Sequence, residues 1–123
     1  MTDQQPTLDR RAAVEVARRF ADAYNAAAAA GDRGLLAPVA ADGAVAAYLV
    51  ESQSGVVVPL DSRTGVPTGA QLDVDPARAT EPVPGLVLVP FKVHGFPRPD
   101  FVGEAELHLE DGGKVTRVVF RAP

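Results

Sequence analysis

The chain has 123 residues, 46% hydrophobic and 23% charged, a size and composition that predict one globular domain, residues 1–123. A net charge of −4 argues against a nucleic-acid partner, and a sequence without cysteine excludes disulfides, thiolate nucleophiles and sulfur-ligated zinc. The opening MTDQQPTLDRR has no apolar signal segment, and no apolar run is long enough to span a membrane. We therefore expect a cytoplasmic protein with no membrane partner.

The first predicted element is a long amphipathic helix over Leu8–Ala29. An isolated helix of this length is marginal in water, so its apolar stripe is expected to pack on another element. A short helical segment is predicted over Arg33–Ala40, where Pro38 limits its length. The stripe at helical spacing consists of Ala13, Ala17, Phe20, Tyr24 and Ala27.

Beyond the two helices, the pattern changes to short apolar runs between glycines and prolines, which is typical of strands. The segment Asp61–Gly85 is predicted to be loop with at most one short strand, Ala70–Val74, and loops this long are often functional or mobile. The run Leu86–His94 is apolar on both faces until Lys92, which favours a central position in the sheet. The predicted strands outside the loop are Ala44–Glu51, Gly55–Leu60, Leu86–His94, Phe101–Glu110 and Lys114–Arg121.

The last two strands form the clearest local signal, because apolar and charged residues alternate on both sides of an acidic-glycine turn. A turn at Asp111-Gly112 sets Glu106 opposite Arg117. A turn one residue later sets Glu104 opposite Arg121. Both registers leave one face apolar and the other charged, so we expect an α+β domain in which the helix covers one side of an antiparallel sheet.

Both ends of the chain resemble one family. The stretch VEVARRFADAYNAAAAAGDRGLLAPVAADGAVAAY resembles the opening of NTF2-like (nuclear transport factor 2-like, SnoaL-like) domains, where a Phe-x-x-Ala-Tyr-Asn type helix precedes Gly-Asp, a short helix and the first strand. The ending ELHLEDGGKVTRVVF is similar to the family's closing hairpin. The resemblance implies a curved sheet wrapped around the long helix as a cone with a pocket at its open end. Family members usually carry a further helix where this chain has residues 61–85.

The resemblance also implies a function. Isomerases and cyclases of the family place acidic groups at positions that fall here near Ala46 or Ala47 and near Ala105, none of which transfers a proton. The chain is therefore expected to bind a small, mainly apolar ligand in the cone, with no cofactor, and to form a homodimer through the sheet as family members often do. The residues expected to line the pocket are Phe20, Tyr24, Tyr48, Phe91 and His94.

Two other functions remain open. An enzyme of the isomerase, polyketide-cyclase or dehydratase type would use His94 with Glu51 or Asp100, because a histidine beside a carboxylate serves as a general base near neutral pH. His94 is also compatible with an ordinary surface or core histidine. Alternatively, the domain is a dimerisation or protein-interaction module. The two histidines lie on different predicted strands without thiols nearby, so no metal site is expected.

Overall fold

The computed structural model describes residues 10–50, 55–62, 65–67, 69–94, 100–110 and 113–122. Helix α1 begins at Arg10 and ends at Ala30, and two 3₁₀ turns span Arg33–Leu36 and Pro76–Arg78. The strands are β1 (Ala40–Val50), β2 (Val56–Pro59), β3 (Gln71–Val74), β4 (Thr80–Val83), β5 (Leu86–His94), β6 (Asp100–Leu109) and β7 (Val115–Ala122).

Helix α1 buries the stripe that its sequence predicts. Phe20 and Tyr24 are its large buried side chains, and the remaining buried positions are alanines. Alanine has the highest helix propensity and loses no side-chain entropy, so the helix forms readily. The short side chains also add little apolar contact area, so attachment of α1 to the sheet depends mainly on its two aromatic residues.

The strands form one open sheet in the order β2-β1-β7-β6-β5-β3, with β4 also paired to β5. Neighbouring strands are antiparallel except β1 and β7, which are parallel. Strand β5 has β6 on one side and β3 and β4 on the other, which confirms its predicted interior position. One helix on one side of a sheet is the α+β arrangement that the sequence predicts.

The closing hairpin adopts the second of its two predicted registers. Glu104 lies opposite Arg121, and His108 lies opposite Arg117. Arg121 also reaches diagonally to Glu106, with its Nη2 atom 3.1 Å from Oε2. The charged residues of β6 and β7 therefore lie on the outer face of the sheet, which we define as the side opposite α1.

The prediction for residues 61–85 was wrong in one respect, because this segment contains two strands instead of at most one. Strand β4 follows β3 and pairs with β5 at Thr80–Leu88 and Val83–Leu86. Pro82 is tolerated because β4 is an edge strand. Gly85, with φ at +83°, provides the left-handed conformation at the reversal into β5.

Strand β3 is fastened to α1 by one side chain. The Asn25 amide donates from Nδ2 to the Leu72 carbonyl oxygen at 2.8 Å, and its Oδ1 accepts from the Leu72 amide at 2.6 Å. β3 ends the strand order, so these backbone groups lie where a further strand would otherwise pair. Asn25 thus caps the edge of the sheet and holds the described part of the 61–85 segment on the helix.

Replacement of Asn25 by alanine tests this cap. We expect Asn25→Ala to lower the free energy of unfolding by about 2 kcal/mol, because two partly buried backbone groups lose their partner. Urea unfolding followed by far-UV circular dichroism measures the loss. The matched control is Asp22→Ala, an exposed position on the same helix. Equal losses in the two variants would show that the cap contributes nothing beyond helix propensity.

Candidate functional site

A cluster of aromatic rings fills the space between α1 and the sheet. Phe120 lies at its centre, stacked on Tyr48 at a centroid distance of 4.9 Å and tilted against Phe91 at 5.0 Å. Tyr24 meets the same ring edge-on at 6.0 Å. All six rings are at least 97% buried, so they form a packed core. The cluster consists of Phe20, Tyr24, Tyr48, Phe91, Phe101 and Phe120.

Two hydroxyl groups form a hydrogen-bonded chain inside this cluster. The Tyr48 hydroxyl donates to the Gly65 carbonyl oxygen at 2.6 Å. The Tyr24 hydroxyl lies 2.7 Å from that of Tyr48 and donates to it, since the single Tyr48 proton is already used. A Cβ at Gly65 would collide with the Pro59 carbonyl oxygen, so only glycine fits at this turn. The chain therefore links the helix, β1 and the turn after β2.

Burial decides the protonation of the two phenols. It raises the pKa of Tyr24 to about 12, and it also raises the pKa of Tyr48. Both hydroxyls therefore keep their protons beyond the pH at which an exposed tyrosine ionises, and both act as hydrogen-bond donors.

Four of the five residues predicted to line a pocket meet in the aromatic cluster, and the fifth does not. Side chains alternate along β5, so His94 lies on the outer face whereas Phe91 points to the helix. The four that the structure brings together are Phe20, Tyr24, Tyr48 and Phe91.

His94 has a carboxylate partner, but not one of the two that the sequence suggested. Its Nε2 atom lies 2.8 Å from Asp73 Oδ2 on the neighbouring β3, and its side chain is 43% exposed. Asp100 faces His94 in the backbone ladder between β5 and β6. The Asp100 side chain and the whole of Glu51 lie outside the described residues, so their predicted roles stay predictions. In the short strand predicted over 70–74, side chains alternate between the two faces of the sheet. This alternation was the signal that could have predicted a surface position for Asp73.

A cleft lies between α1 and the start of β7, which we call the α1–β7 cleft. It has a volume of about 250 Å³ and opens to solvent. Its apolar lining includes Phe20 and Val115, with Val16 on the helix and Val39 on the opposite wall. The complete lining is Val16, Arg19, Phe20, Pro38, Val39, Gly113, Lys114 and Val115.

Local structure explains the position of this cleft. The Val115 amide donates to the Val39 carbonyl oxygen at 2.8 Å, which fixes the 38–39 segment beside β7. Val16 precedes Phe20 by four residues, so both side chains lie on the same side of α1. Sequence reasoning identified Phe20 but missed Val16 and Arg19, although Val16 lies at the margin of the apolar stripe.

A second groove, of about 290 Å³, lies beside the first 3₁₀ turn and the start of β1. Its lining includes Arg33 and the carboxylates of Asp42 and Asp61. The Arg33 Nη2 atom donates to the Val66 carbonyl oxygen at 2.8 Å, so this side chain helps to hold the turn after β2. The mixed charges make this groove less suited to an apolar molecule than the α1–β7 cleft.

The described residues show neither a cluster of metal ligands nor a membrane-spanning helix. None of their histidine, aspartate and glutamate side chains assemble in threes as a metal site would require. None of the helices in this part of the chain is both long and apolar enough to cross a membrane.

Comparison with solved structures finds the same architecture in other proteins. A SnoaL-like family protein from Agrobacterium tumefaciens, provisionally described as an isomerase, superposes with a TM-score of 0.58 at 14% identity, over 89% of this chain and 96% of its own. A provisionally described polyketide cyclase from Xanthomonas campestris gives 0.57 at 19% identity, over 94% and 93%. An NTF2-like protein of unknown function from Burkholderia xenovorans gives 0.55 at 20% identity, over 93% and 87%. Neither the models of known families nor the curated protein sequences match this chain.

The buried phenols predict a specific response to alkaline pH. Unfolded tyrosines titrate near pH 10, whereas the folded chain keeps its protons to higher pH, so the native state binds more protons above about pH 10. The free energy of unfolding is then expected to fall between about pH 10 and about pH 12, by about 1.4 kcal/mol per pH unit for each tyrosine. Urea unfolding at a series of pH values measures this slope.

The chain has two tyrosines and no tryptophan, so phenolate absorbance reports on these two groups alone. In Tyr24→Phe the slope is expected to fall to about half, because one of the two phenols is gone. Phenolate absorbance that rises near pH 10 while the circular dichroism stays native would contradict the buried hydroxyl chain.

Proposed function

We propose that the protein binds a small, mainly apolar molecule in the α1–β7 cleft. The NTF2-like fold of the chain, which agrees with the resemblance at the two ends of its sequence, supports the proposal. The observation that carries the proposal is the cleft itself, whose lining combines the Phe20 ring with three valine side chains. Ligand sites are typically concave and mostly apolar, with a few polar groups at fixed places.

The packed interior supports this position for the ligand. The aromatic cluster occupies the space in which the sequence predicts a pocket, and Tyr24 is 0% exposed within it. A molecule that entered there would have to displace close-packed rings. Phe20 belongs both to the cluster and to the lining of the cleft. The cleft therefore offers an apolar surface between helix and sheet without disrupting the core.

The size of the cleft limits the ligand. Its volume of about 250 Å³ lies just below the usual range for drug-sized sites. A bicyclic aromatic amide such as 2-naphthamide is therefore a suitable neutral probe. At about 0.3 kcal/mol per non-hydrogen atom, such a probe is expected to bind with a dissociation constant of about 1 mM.

Binding can be tested by blocking the cleft from the helix side. Val16 is half-buried and lines the cleft. We expect Val16→Phe to weaken 2-naphthamide binding at least tenfold, since the added ring occupies the same apolar space. Backbone amide shifts measured during an NMR titration give the affinity, with Val16, Val39 and Val115 expected to move most in the unaltered protein.

Val14→Phe is the matched control. Val14 is also half-buried on α1, but it lies on the opposite flank of the apolar stripe and outside the lining of the cleft. The Val14→Phe variant should bind 2-naphthamide with the same affinity as the unaltered protein. The proposed site would be contradicted if the probe caused no amide shifts at residues of the cleft. It would also be contradicted if Val16→Phe and Val14→Phe bound the probe with equal affinity.

As a second role, we propose that two copies of the chain associate through the outer face of the sheet. Val57 on β2 is 65% exposed, and Val102 on β6 is 46% exposed. Val57 lies opposite Ala47, which in turn lies opposite Val119, so an apolar row crosses three strands. Ala47 and Val119 are each only 5% exposed, so among the described residues of this face it is Val57 and Val102 that offer a partner exposed apolar surface.

A charge in this row tests the second role. We expect Val57→Asp to raise the dimer dissociation constant at least tenfold, because association would bury an unpaired carboxylate. Val56→Asp is the control, since Val56 is also exposed but points to the other side of β2. Sedimentation equilibrium measures both. An unaltered protein that stays monomeric at the highest concentration reached would rule out this association.

A further inference from the structure

Two cationic side chains border the α1–β7 cleft. Arg19 extends from α1 and Lys114 from the residue before β7, and both are exposed. We propose that the cleft selects a small apolar carboxylate, whose ring or chain lies on the half-buried Val16 and Val39 while its carboxylate faces these two cations. This inference rests on the proposed function and adds the chemical class of the ligand.

The charge at the cleft differs from the charge of the chain as a whole. The sequence carries 16 acidic and 12 basic residues, a net charge of −4. The described residues that line the cleft nevertheless include two cations and no carboxylate. A local excess of positive charge beside an apolar surface favours a molecule that is apolar at one end and anionic at the other.

Two acidic residues, Glu15 and Asp22, neighbour Arg19 on α1, and neither lines the cleft. Glu15 accepts from Arg18, with Nη1 3.1 Å from Oε1. Arg18 and Glu15 lie outside the lining of the cleft, which leaves the cleft the positive charge of Arg19. The groove beside β1 differs, because two carboxylates, Asp42 and Asp61, line it together with Arg33. An apolar anion is therefore expected to prefer the α1–β7 cleft to that groove.

The types of the two cations point to a carboxylate. The guanidinium of Arg19 is a planar fork that matches the two oxygens of a carboxylate, and Lys114 adds a point charge from the other wall. Because both side chains are exposed to solvent, each is expected to contribute about a two- to fivefold gain in affinity. The apolar lining holds the ligand, and the cations select among molecules of similar shape.

The test compares 2-naphthoate with 2-naphthamide, which have nearly the same shape and differ by one negative charge. NMR titrations at low ionic strength give the ratio of the two affinities in each variant. We expect the unaltered protein to bind 2-naphthoate about five- to twentyfold more tightly than 2-naphthamide. In the double variant Arg19→Gln/Lys114→Gln the ratio should fall to about one.

Arg78→Gln and Lys92→Gln serve as controls, because they remove the same charges from positions outside the cleft. Lys92 lies on β5, opposite Asp73 in the ladder. A double control variant that also loses the preference would show that net charge alone is responsible, which overturns the inference.

The two proposals fail in different ways. Equal affinities for the two probes in the unaltered protein, with shifts at Val16 and Val115, would overturn the inference and leave the proposed function standing. The same follows if the preference survives in Arg19→Gln/Lys114→Gln. Shifts that are absent from the cleft with both probes would contradict the proposed function, and the inference would fall with it.

Discussion

The packing of rings around Phe120 is the constraint on which the rest of this structure depends. Helix α1 offers the sheet mostly alanines, so Phe20 and Tyr24 supply most of the apolar contact area that holds the two layers together. The hydroxyl chain from Tyr24 through Tyr48 to Gly65 satisfies the polar atoms of that core. The same chain fixes the turn after β2, so core packing and the course of the 61–85 segment are coupled.

Side chains fill the space between α1 and the sheet. The positions that the resemblance assigns to acidic groups are occupied by Ala46 or Ala47 and by Ala105. Ala46 and Ala105 are buried beside the aromatic cluster. Open space lies instead at the margin of the core, in the α1–β7 cleft, where the edge of the buried Phe20 ring forms part of the lining. One ring thus serves both the stability of the core and the proposed site.

The sequence predicted those elements whose signals are local. The closing hairpin shows strict alternation around a glycine turn, and helix α1 shows an apolar stripe with period 3.6, so both were predicted correctly. The 61–85 segment was predicted to be mainly loop because its prolines and glycines are typical of loops. Strands β3 and β4 form there because β5 supplies hydrogen-bonding partners and Asn25 caps the outer edge, and neither contact is visible in a local pattern.

By itself, the sequence determined which side chains point inward. The helical period places Phe20 and Tyr24 on a buried face whatever the topology. Only the tertiary structure decided which polar groups meet, because such pairs depend on strand order and register between distant segments. It joined His94 to Asp73 across two strands and placed Arg19 and Lys114 around one cleft. Burial is set by local periodicity, whereas a site is set by contacts between residues far apart in the chain.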